Sequence, residues 1–265
     1  VLVYGDTNST LAATLAAAKI HRRVAHLESG LRSGNRRMPE EHNRVVTDHV
    51  ADLLLAPTGT AMAHLADEGL ALRSVNVGDV MVDVCLAVHE LTDAVPPAMP
   101  DAWNPDEPPV LATIHRADNT DDPGRLELIL ERLAAVPYEV MLVAHPRLVA
   151  KAAEAGLDLD RPGITPIPSL TYSQMVYATA HARGVITDSG GLQKEAFILG
   201  TPAITARTET EWPETLVDDW NVIDPELLVD PVAHFARIRP ASTSFPFGRG
   251  DAAQRAVEAL AAALS

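Results

Sequence analysis

The sequence has few aromatic residues, few basic residues and a single cysteine, and each shortage excludes a class of protein. Phe, Trp and Tyr make up 4% of the 265 residues and apolar residues 47%, which is typical of an α/β globule rich in Ala, Leu and Val. Cys85 stands alone, so no disulfide framework can form within the chain, and a reducing compartment is expected. The 21 basic and 36 acidic side chains give a net charge of -15, which disfavours nucleic acid and anionic membrane partners. An anionic ligand therefore needs a local site.

Long hydrophobic runs and the familiar nucleotide motifs are also missing. No stretch approaches the roughly 20 apolar residues that span a membrane, and no leader with a cleavage site is recognisable, so we expect a cytoplasmic protein without a membrane partner. Without a Gly-x-Gly-x-x-Gly or Walker loop, nicotinamide and NTPase functions are disfavoured. The histidines and carboxylates show no ligand-like spacing, so we expect no metal.

Short apolar runs alternate with helical patterns along most of the chain. The predicted strands cover residues 1–4, 24–27, 53–56, 110–114, 140–144, 184–187 and 203–205. The predicted helices cover residues 11–20, with Ser9 or Thr10 as cap, then 43–50, 61–69, 124–136, 173–182, 192–199 and 251–264. This alternation predicts an α/β protein with parallel sheets.

The length favours two domains, and a proline-rich segment indicates where they join. Six prolines lie between Thr92 and Pro109, with little periodicity. We therefore predict a first domain over 1–91, a linker over 92–109, a second domain over 110–240 and a closing segment over 241–265. Because Val1 already belongs to a predicted strand, we expect the first domain to be incomplete.

Polar residues and glycines gather where the predicted strands end, the edge at which open α/β sheets bind ligands. The four clusters are Gly5-Asp6-Thr7, Glu28-Ser29-Gly30, His115-Arg116 and Asp188-Ser189-Gly190-Gly191. The last predicts an anion site, because its glycines let amides approach a phosphate and the following helix adds a positive dipole end. A helix start merely capped by Ser189 fits the same residues. Glu195 suits a ribose hydroxyl better than a phosphate, and a solvated helix position is its alternative.

Candidate proton-transfer groups are concentrated in the first third of the chain. They are Asp6, Glu28, Glu40 and Glu41, joined from the second domain by His115. Pairing with nearby arginines such as Arg32 and Arg44 is the alternative for the carboxylates. His145, which ends its own strand, suits either a phosphate contact or packing.

Six sequence motifs, in this order, resemble the non-hydrolysing UDP-N-acetylglucosamine 2-epimerases. They are Gly5-Asp6-Thr7-Asn8-Ser9-Thr10, His26-Leu27-Glu28-Ser29-Gly30-Leu31-Arg32-Ser33, Arg37-Met38-Pro39-Glu40-Glu41-His42-Asn43-Arg44, Thr113-Ile114-His115-Arg116-Ala117-Asp118-Asn119, Thr187-Asp188-Ser189-Gly190-Gly191-Leu192-Gln193-Lys194-Glu195-Ala196 and Thr210-Glu211-Trp212-Pro213-Glu214. The resemblance extends essentially end to end. It implies two Rossmann-like domains of the GT-B type, with the last helix packing back toward the first.

The same resemblance implies roles for individual residues. Ser189, Gly190 and Gly191 would hold the diphosphate of UDP, Glu195 the ribose, and the backbone around Met175 the uracil. Arg116 and His145 are expected to contact the UDP-sugar, and Asp6, Glu28, Glu40 and His115 would face the sugar as catalytic groups. The implied reaction eliminates UDP and the C2 proton, forming a glycal, and adds UDP back with the opposite C2 configuration. It needs no cofactor. Relatives commonly form homodimers, and the resemblance implies a role in cell-surface polysaccharide biosynthesis.

Several alternatives stay open. Trp212 stands where some bacterial members carry Arg, and residues 35–39 and 113–117 also suit the branch acting on UDP-2,3-diacetamido-glucuronic acid. A GT-B glycosyltransferase would share the nucleotide contacts, although the carboxylates clustered in the first domain argue against it. An inactive nucleotide-sugar-binding protein is the non-enzymatic alternative.

Overall fold

The structure is a computed structural model that describes residues 1–237 and 245–264. The described residues form two compact units, one made of residues 1–86 with those from 245 onward, and one made of residues 87–237. The predicted boundary between residues 240 and 241 lies outside the described residues. None of the helices in the described part is long and apolar enough to cross a membrane.

Helices and strands alternate along the chain. The first stretch contains β1 (Leu2–Tyr4), α1 (Asn8–Lys19), β2 (Ala25–Leu27), α2 (Pro39–Val50), β3 (Leu53–Ala56), α3 (Gly59–Asp67), β4 (Ser74–Asn76) and α4 (Val80–Ala94). The second contains β5 (Val110–Thr113), α5 (Ala117–Thr120), α6 (Pro123–Ala134), β6 (Val140–Val143), α7 (Pro146–Ala155), β7 (Ile164–Ile167), α8 (Tyr172–His181), β8 (Gly184–Thr187), α9 (Gly190–Leu199), β9 (Ala203–Thr205), β10 (Asn221–Ile223) and α10 (Pro231–Phe235). Short 3-10 helices span Ala71–Arg73 and Pro213–Asp219, and α11 (Ala252–Leu264) follows.

The first unit is built on a four-stranded parallel sheet in the order β1-β2-β3-β4. Helix α11 covers part of it, since Ala256 packs with the buried Leu55 and Val77, and Ala259 and Leu260 extend the contact. The carboxyl ends of β1 and β2 carry the loops that contain Asp6 and Glu28.

The second unit is built on a six-stranded parallel sheet in the order β10-β9-β8-β5-β6-β7. Alternate residues of its strands enter two different cores: Val110 and Ala112 of β5 pack on one face and Leu111 on the other. Burial of both faces explains why these strands read as continuous apolar runs. The prediction of an α/β fold with parallel sheets is confirmed.

The proline-rich segment begins in a helix and continues without regular structure. Helix α4 extends to Ala94, so the first three residues of the predicted linker are helical. Residues 95–109 contain no helix or strand. They are anchored to the second unit, because Gln174 donates to the Ala98 carbonyl at 2.6 Å and Trp103 packs on Tyr177.

The start of α1 corrects a capping prediction. Thr7, rather than Ser9 or Thr10, is the N-cap, and its side-chain oxygen accepts from the Thr10 amide at 3.3 Å. Helix α2 likewise begins at Pro39, four residues before the predicted start. Proline at a first helical position loses no intrahelical hydrogen bond, and the carboxylates of Glu40 and Glu41 favour the positive end of the helix.

Candidate active site

Strands β5 and β8 form the centre of the candidate nucleotide site. The order of strands reverses between them, with β6 and β7 on one side and β9 and β10 on the other. Thr113 and Thr187 are register partners at the carboxyl ends of the two strands, and their hydroxyls lie 2.6 Å apart. Ligands of open α/β sheets bind in the crevice at such a reversal. The residues that follow these two threonines are therefore well placed to contact a ligand.

A cavity of about 310 Å³ opens at this position. Six residues predicted from the sequence line it: His115, His145, Met175, Ser189, Gly191 and Glu195. Thr113, Val143, Ser169, Leu170 and Leu192 complete the lining. Of the predicted UDP-binding residues, Arg116 and Gly190 do not line this cavity.

In the turn from β8 into α9, the Ser189 amide is bonded within the protein, whereas the amides of the two glycines have no intrahelical acceptor. The Ser189 amide donates to the Thr187 hydroxyl at 2.9 Å, and the Ser189 hydroxyl accepts from the Leu192 amide at 3.4 Å. Ser189 therefore caps the helix, as the simpler interpretation of the sequence proposed. The amides of Gly190 and Gly191 lie in the first turn of α9, where N–H groups have no intrahelical acceptor. They are the donors best suited to an anion.

The two glycines of this turn have different surroundings. A Cβ atom at Gly190 would lie 3.0 Å from Glu211 Oε1 and 3.3 Å from the Arg207 guanidinium, whereas one at Gly191 would meet only the Ser189 hydroxyl, at 3.8 Å. Glu211 pairs with Arg207 at 2.8 Å and lies 3.6 Å from Arg116. Gly190 thus makes room for an ion-pair cluster, and Gly191 keeps the floor of the cavity open.

Glu195 lies within α9, with its side chain beside Tyr172 of α8. The Tyr172 hydroxyl donates to Glu195 Oε1 at 2.9 Å. Tyr172 carries no signal in the sequence, because the two residues are 23 positions apart and meet only through the packing of α8 on α9.

Asp188 belongs to one of the six motifs, and the resemblance implies no role for it. Its carboxylate is fully buried and lies 2.9 Å from His115 Nδ1. Burial by itself raises the pKa of this carboxyl, but hydrogen bonds from His115, Arg116 and Asn119 outweigh it and hold the pKa below its ordinary value. The His115 and His145 rings lie 5.0 Å apart.

The first unit carries the acidic candidates. Asp6 forms an ion pair with Arg44 of α2, and Asn43 donates to the Asp6 carbonyl at 2.8 Å. Glu28 has a left-handed backbone with φ of 70°, which is rare for a residue with a side chain. Its Oε2 would lie 3.3 Å from a Cβ atom at Gly5, so its carboxylate faces the loop of Asp6. The structure therefore brings Asp6 and Glu28 to adjacent loops.

Glu40 and Glu41 occupy different environments although they are neighbours. Glu41 is buried and accepts from the Ser33 amide and hydroxyl, both at 2.9 Å, and from the Gly34 amide at 3.1 Å. Burial raises its pKa, but these bonds outweigh burial and leave the pKa below the ordinary value. Glu40 is half-buried in the first turn of α2. Glu41 holds a loop, and Glu40 remains the candidate for chemistry.

A buried network supports the two loops of the first unit. His26 Nδ1 lies 2.6 Å from Asp48, and His26 Nε2 lies 2.8 Å from the Gly5 carbonyl. Asp48 also accepts from the Gly30 amide at 3.0 Å and pairs with Arg32 at 2.8 Å. Within residues 1–237 and 245–264, no three His, Cys, Asp or Glu side chains are grouped so as to hold a metal ion.

The chain has two α/β units, each built on a sheet of parallel strands, and one of them has a cavity and a glycine-containing turn at its strand reversal. These features define a nucleotide-binding protein of the GT-B-like fold. The chain belongs to the UDP-N-acetylglucosamine 2-epimerase family, whose family model matches residues 1–261. The resemblance found in the sequence motifs is confirmed.

Individual relatives agree with this assignment. A UDP-N-acetylglucosamine 2-epimerase homolog of Methanococcus maripaludis is 39% identical over 98% of this chain and 74% of its own length. The UDP-2,3-diacetamido-2,3-dideoxy-D-glucuronate 2-epimerase of Pseudomonas aeruginosa is 46% identical over 84% of this chain and 62% of its own length. The solved structure of the Methanocaldococcus jannaschii UDP-GlcNAc 2-epimerase, in complex with UDP-GlcNAc and UDP, superimposes with a TM-score of 0.86 at 34% identity, over 98% of this chain and 75% of that one.

Proposed function

We propose that the protein catalyses reversible inversion at C2 of a UDP-activated N-acetylated sugar, interconverting UDP-N-acetylglucosamine and UDP-N-acetylmannosamine. The observation that carries the proposal is the cavity at the β5/β8 reversal, where predicted site residues from the loops after β5 and β6 and from the α8 and α9 regions meet. Membership of the epimerase family supports the reaction type.

In this proposal UDP occupies the cavity of the second unit. The diphosphate accepts hydrogen bonds from the Gly190 and Gly191 amides, with the Ser189 hydroxyl beside them, and the positive end of α9 stabilises its charge. Glu195, oriented by Tyr172, accepts from the ribose hydroxyls. His145 and Arg116 add positive or hydrogen-bonding character near the phosphates.

The uracil is proposed to lie near Met175, as the sequence predicts. The backbone groups proposed to contact it are, however, different ones. The Met175 amide already donates to the Thr171 carbonyl at 2.9 Å within α8. The loop residues Ser169 and Leu170, which precede α8 and also line the cavity, offer the backbone groups for the base. Met175 then contributes side-chain surface rather than its amide.

The reaction proceeds by elimination and re-addition. A base removes the C2 proton while the bond between C1 and the UDP oxygen breaks, which leaves a glycal and UDP; re-addition reverses both events with the proton delivered to the opposite face. Because the C2 proton is weakly acidic, stabilising the departing diphosphate lowers the barrier. Asp6, Glu28, Glu40 and His115 are the proposed proton-transfer and sugar-orienting groups, since delivery to two faces requires more than one.

Exchange of the C2 proton with solvent tests the proposal. UDP-N-acetylglucosamine incubated with the full-length protein in D2O is expected to acquire deuterium at C2 and to yield the manno epimer, both read by NMR. A glycosyltransferase or an inactive binding protein would leave C2 unlabelled, and that outcome would reject the proposal.

A second substrate is favoured by a specific observation. The Pseudomonas aeruginosa relative that shares 46% identity acts, by its name, on UDP-2,3-diacetamido-2,3-dideoxy-D-glucuronate. Comparing kcat/KM for this uronate and for UDP-N-acetylglucosamine decides between the two sugars. A protein inactive on both would exclude the two assignments together.

We also propose that the protein works as a homodimer in the cytoplasm and serves cell-surface polysaccharide biosynthesis. The family and the single cysteine Cys85 support this setting. Light scattering coupled to size-exclusion chromatography tests the dimer, and a monomeric mass at micromolar concentration would contradict it.

A further inference from the structure

Asp188 is a buried carboxylate that the proposed function does not use. It follows β8 directly, and it accepts from the amides of His115, at 3.0 and 3.1 Å to its two oxygens, and of Arg116, at 2.9 Å. Asn119 Nδ2 donates to it at 3.1 Å. The two amides lie in the loop between β5 and α5 and Asn119 lies in α5, and together these donors favour the ionised carboxylate.

An ionised Asp188 determines which nitrogen of His115 carries a proton. The distance from His115 Nδ1 to Asp188 Oδ1 is 2.9 Å. A carboxylate only accepts hydrogen bonds, so Nδ1 must be the donor. In the neutral ring Nε2 is then unprotonated, and it is the nitrogen left to gain or lose a proton.

His115 lies where a ring in this tautomer can contact a ligand in the cavity. The imidazole lines the cavity with its side chain 33% exposed, whereas Asp188 is wholly buried behind it. Of the other titratable side chains, His145 after β6 has its ring 5.0 Å away, and Glu195 of α9 lines the same cavity. Among the described residues, Asp188 has the only carboxylate paired with this ring.

We propose that Asp188 is a positioning residue that holds His115 in its Nδ1–H tautomer and thereby presents Nε2 to the UDP-sugar. Asp188 also immediately precedes the Ser189–Gly191 turn, so the same residue fixes the imidazole relative to the amides proposed to bind the diphosphate. The catalytic use of Nε2 rests on the proposed function, whereas the tautomer itself does not.

Nitrogen NMR reads the tautomer without any assay of activity. In full-length protein labelled with ¹⁵N-histidine at about pH 9, where an ordinary imidazole is neutral, His115 is expected to show a protonated Nδ1 and an unprotonated Nε2. Its signals are identified by their loss in His115→Gln. In Asp188→Asn the preference is expected to disappear or reverse. A protonated Nε2 in the wild type, or an unchanged tautomer in Asp188→Asn, would overturn the proposal.

Kinetics then separate positioning from general stability. Asp188→Asn is expected to lower kcat at least about 100-fold, because the wrong tautomer disables an imidazole, while the Kd for UDP changes less than about threefold. Asp224→Asn is the matched control: Asp224 is also a buried carboxylate of this unit, and it accepts from the Glu226 and Val229 amides at 3.1 and 2.7 Å. Its kcat is expected to stay within about threefold. Equal losses of kcat in the two variants would mean that Asp188 is only structural.

The double variant His115→Gln/Asp188→Asn completes the test. If Asp188 acts through His115, the double variant is no slower than His115→Gln alone, because residues acting as a unit are non-additive. If the fold-loss of kcat in the double variant were the product of the losses in the two single variants, the inference would be overturned. A wild-type protein that labels no C2 position would instead reject the proposed function, and the NMR result would still decide the tautomer.

Discussion

The carboxylates of the first unit differ in how many hydrogen bonds they already accept from the protein. Three donors from Ser33 and Gly34 converge on Glu41, whereas the adjacent Glu40 is half-buried at the start of α2. We predict that Glu40→Gln lowers kcat at least about 100-fold and lowers the unfolding free energy by less than about 1 kcal/mol, the size of a helix-dipole interaction. Glu41→Gln is expected to lower the unfolding free energy by about 1–2 kcal/mol, because a buried acceptor loses its charge. Steady-state kinetics and thermal unfolding of both variants check this, and reversed effects would contradict it.

The residues of the candidate site that were predicted each belong to a pattern or motif within one stretch of the chain. Ser189, Gly191 and Glu195 belong to one turn and helix, and the cavity includes all three. Asp188 and His115 are 73 residues apart and meet because β5 and β8 are paired neighbours. Residue spacing carries no information about that pairing, so the positioning carboxylate became visible only with the sheet order.

At the scale of elements, the central strands of the second unit were the easiest to predict and its edge strands the hardest. Strands β8 and β9 have the predicted bounds, because burial on both faces makes them continuous apolar runs. Strands β7 and β10, the two edges of the six-stranded sheet, were not predicted. Strand β7 contains Pro166, which an edge strand tolerates because one side needs no ladder hydrogen bond, but which disguises the strand in the sequence.

The loop after β2 approaches α3 so closely that it depends on a glycine. Gly30 has φ of 82°, and a Cβ atom there would lie 2.5 Å from the Ala61 carbonyl and 2.8 Å from Leu65. We predict that Gly30→Ala lowers the unfolding free energy by about 3 kcal/mol, from left-handed strain and overpacking. Gly34→Ala is the control, since its φ is 71° with nothing within 4 Å, and about 1 kcal/mol is expected. Urea unfolding measures both, and equal losses would contradict the proposed close approach to α3.

Asp48 links α2 to the loops after β1 and β2, and its ionisation should make stability depend on pH. Burial raises its pKa, but the hydrogen bond and charge of His26, together with Arg32, outweigh burial and hold the pKa below the ordinary value. The unfolded chain, with a pKa near about 3.9, therefore binds more protons than the folded protein at acidic pH. The stabilisation is complete above about pH 5 and is lost progressively as pH falls past the unfolded pKa and through the folded pKa.

We predict that Asp48→Asn removes this part of the acid sensitivity. The variant should be about 2–3 kcal/mol less stable than the wild type at pH 7, because Arg32 loses a buried partner. The difference between the two unfolding free energies should become smaller below about pH 4. Asp67→Asn, at an exposed position of α3, should follow the wild type throughout. Unfolding free energies from pH 3 to 7 check this, and parallel curves for wild type and Asp48→Asn would contradict it.

For the whole molecule, the proposal assigns nucleotide binding to one unit and most of the proton-transfer groups to the other. With a net charge of -15, the protein as a whole repels an anion such as UDP, so affinity must come from local donors. Those donors, in the turn at Gly190 and Gly191, belong to the second unit. Binding of UDP and turnover of the UDP-sugar should therefore respond to different substitutions.

We predict that Glu195→Gln raises the Kd for UDP about 10-fold, the low end of what a hydrogen bond to a charged group contributes. Asp6→Asn and Glu28→Gln should leave that Kd within about threefold while lowering kcat at least about 100-fold, because UDP lacks the carbon they are proposed to serve. Calorimetric titration with UDP and steady-state kinetics measure the two effects on the same preparations. If Glu28→Gln weakened UDP binding as much as Glu195→Gln, the assignment of UDP to the second unit alone would be wrong, whereas wild-type turnover in Asp6→Asn and Glu28→Gln would make their carboxylates structural.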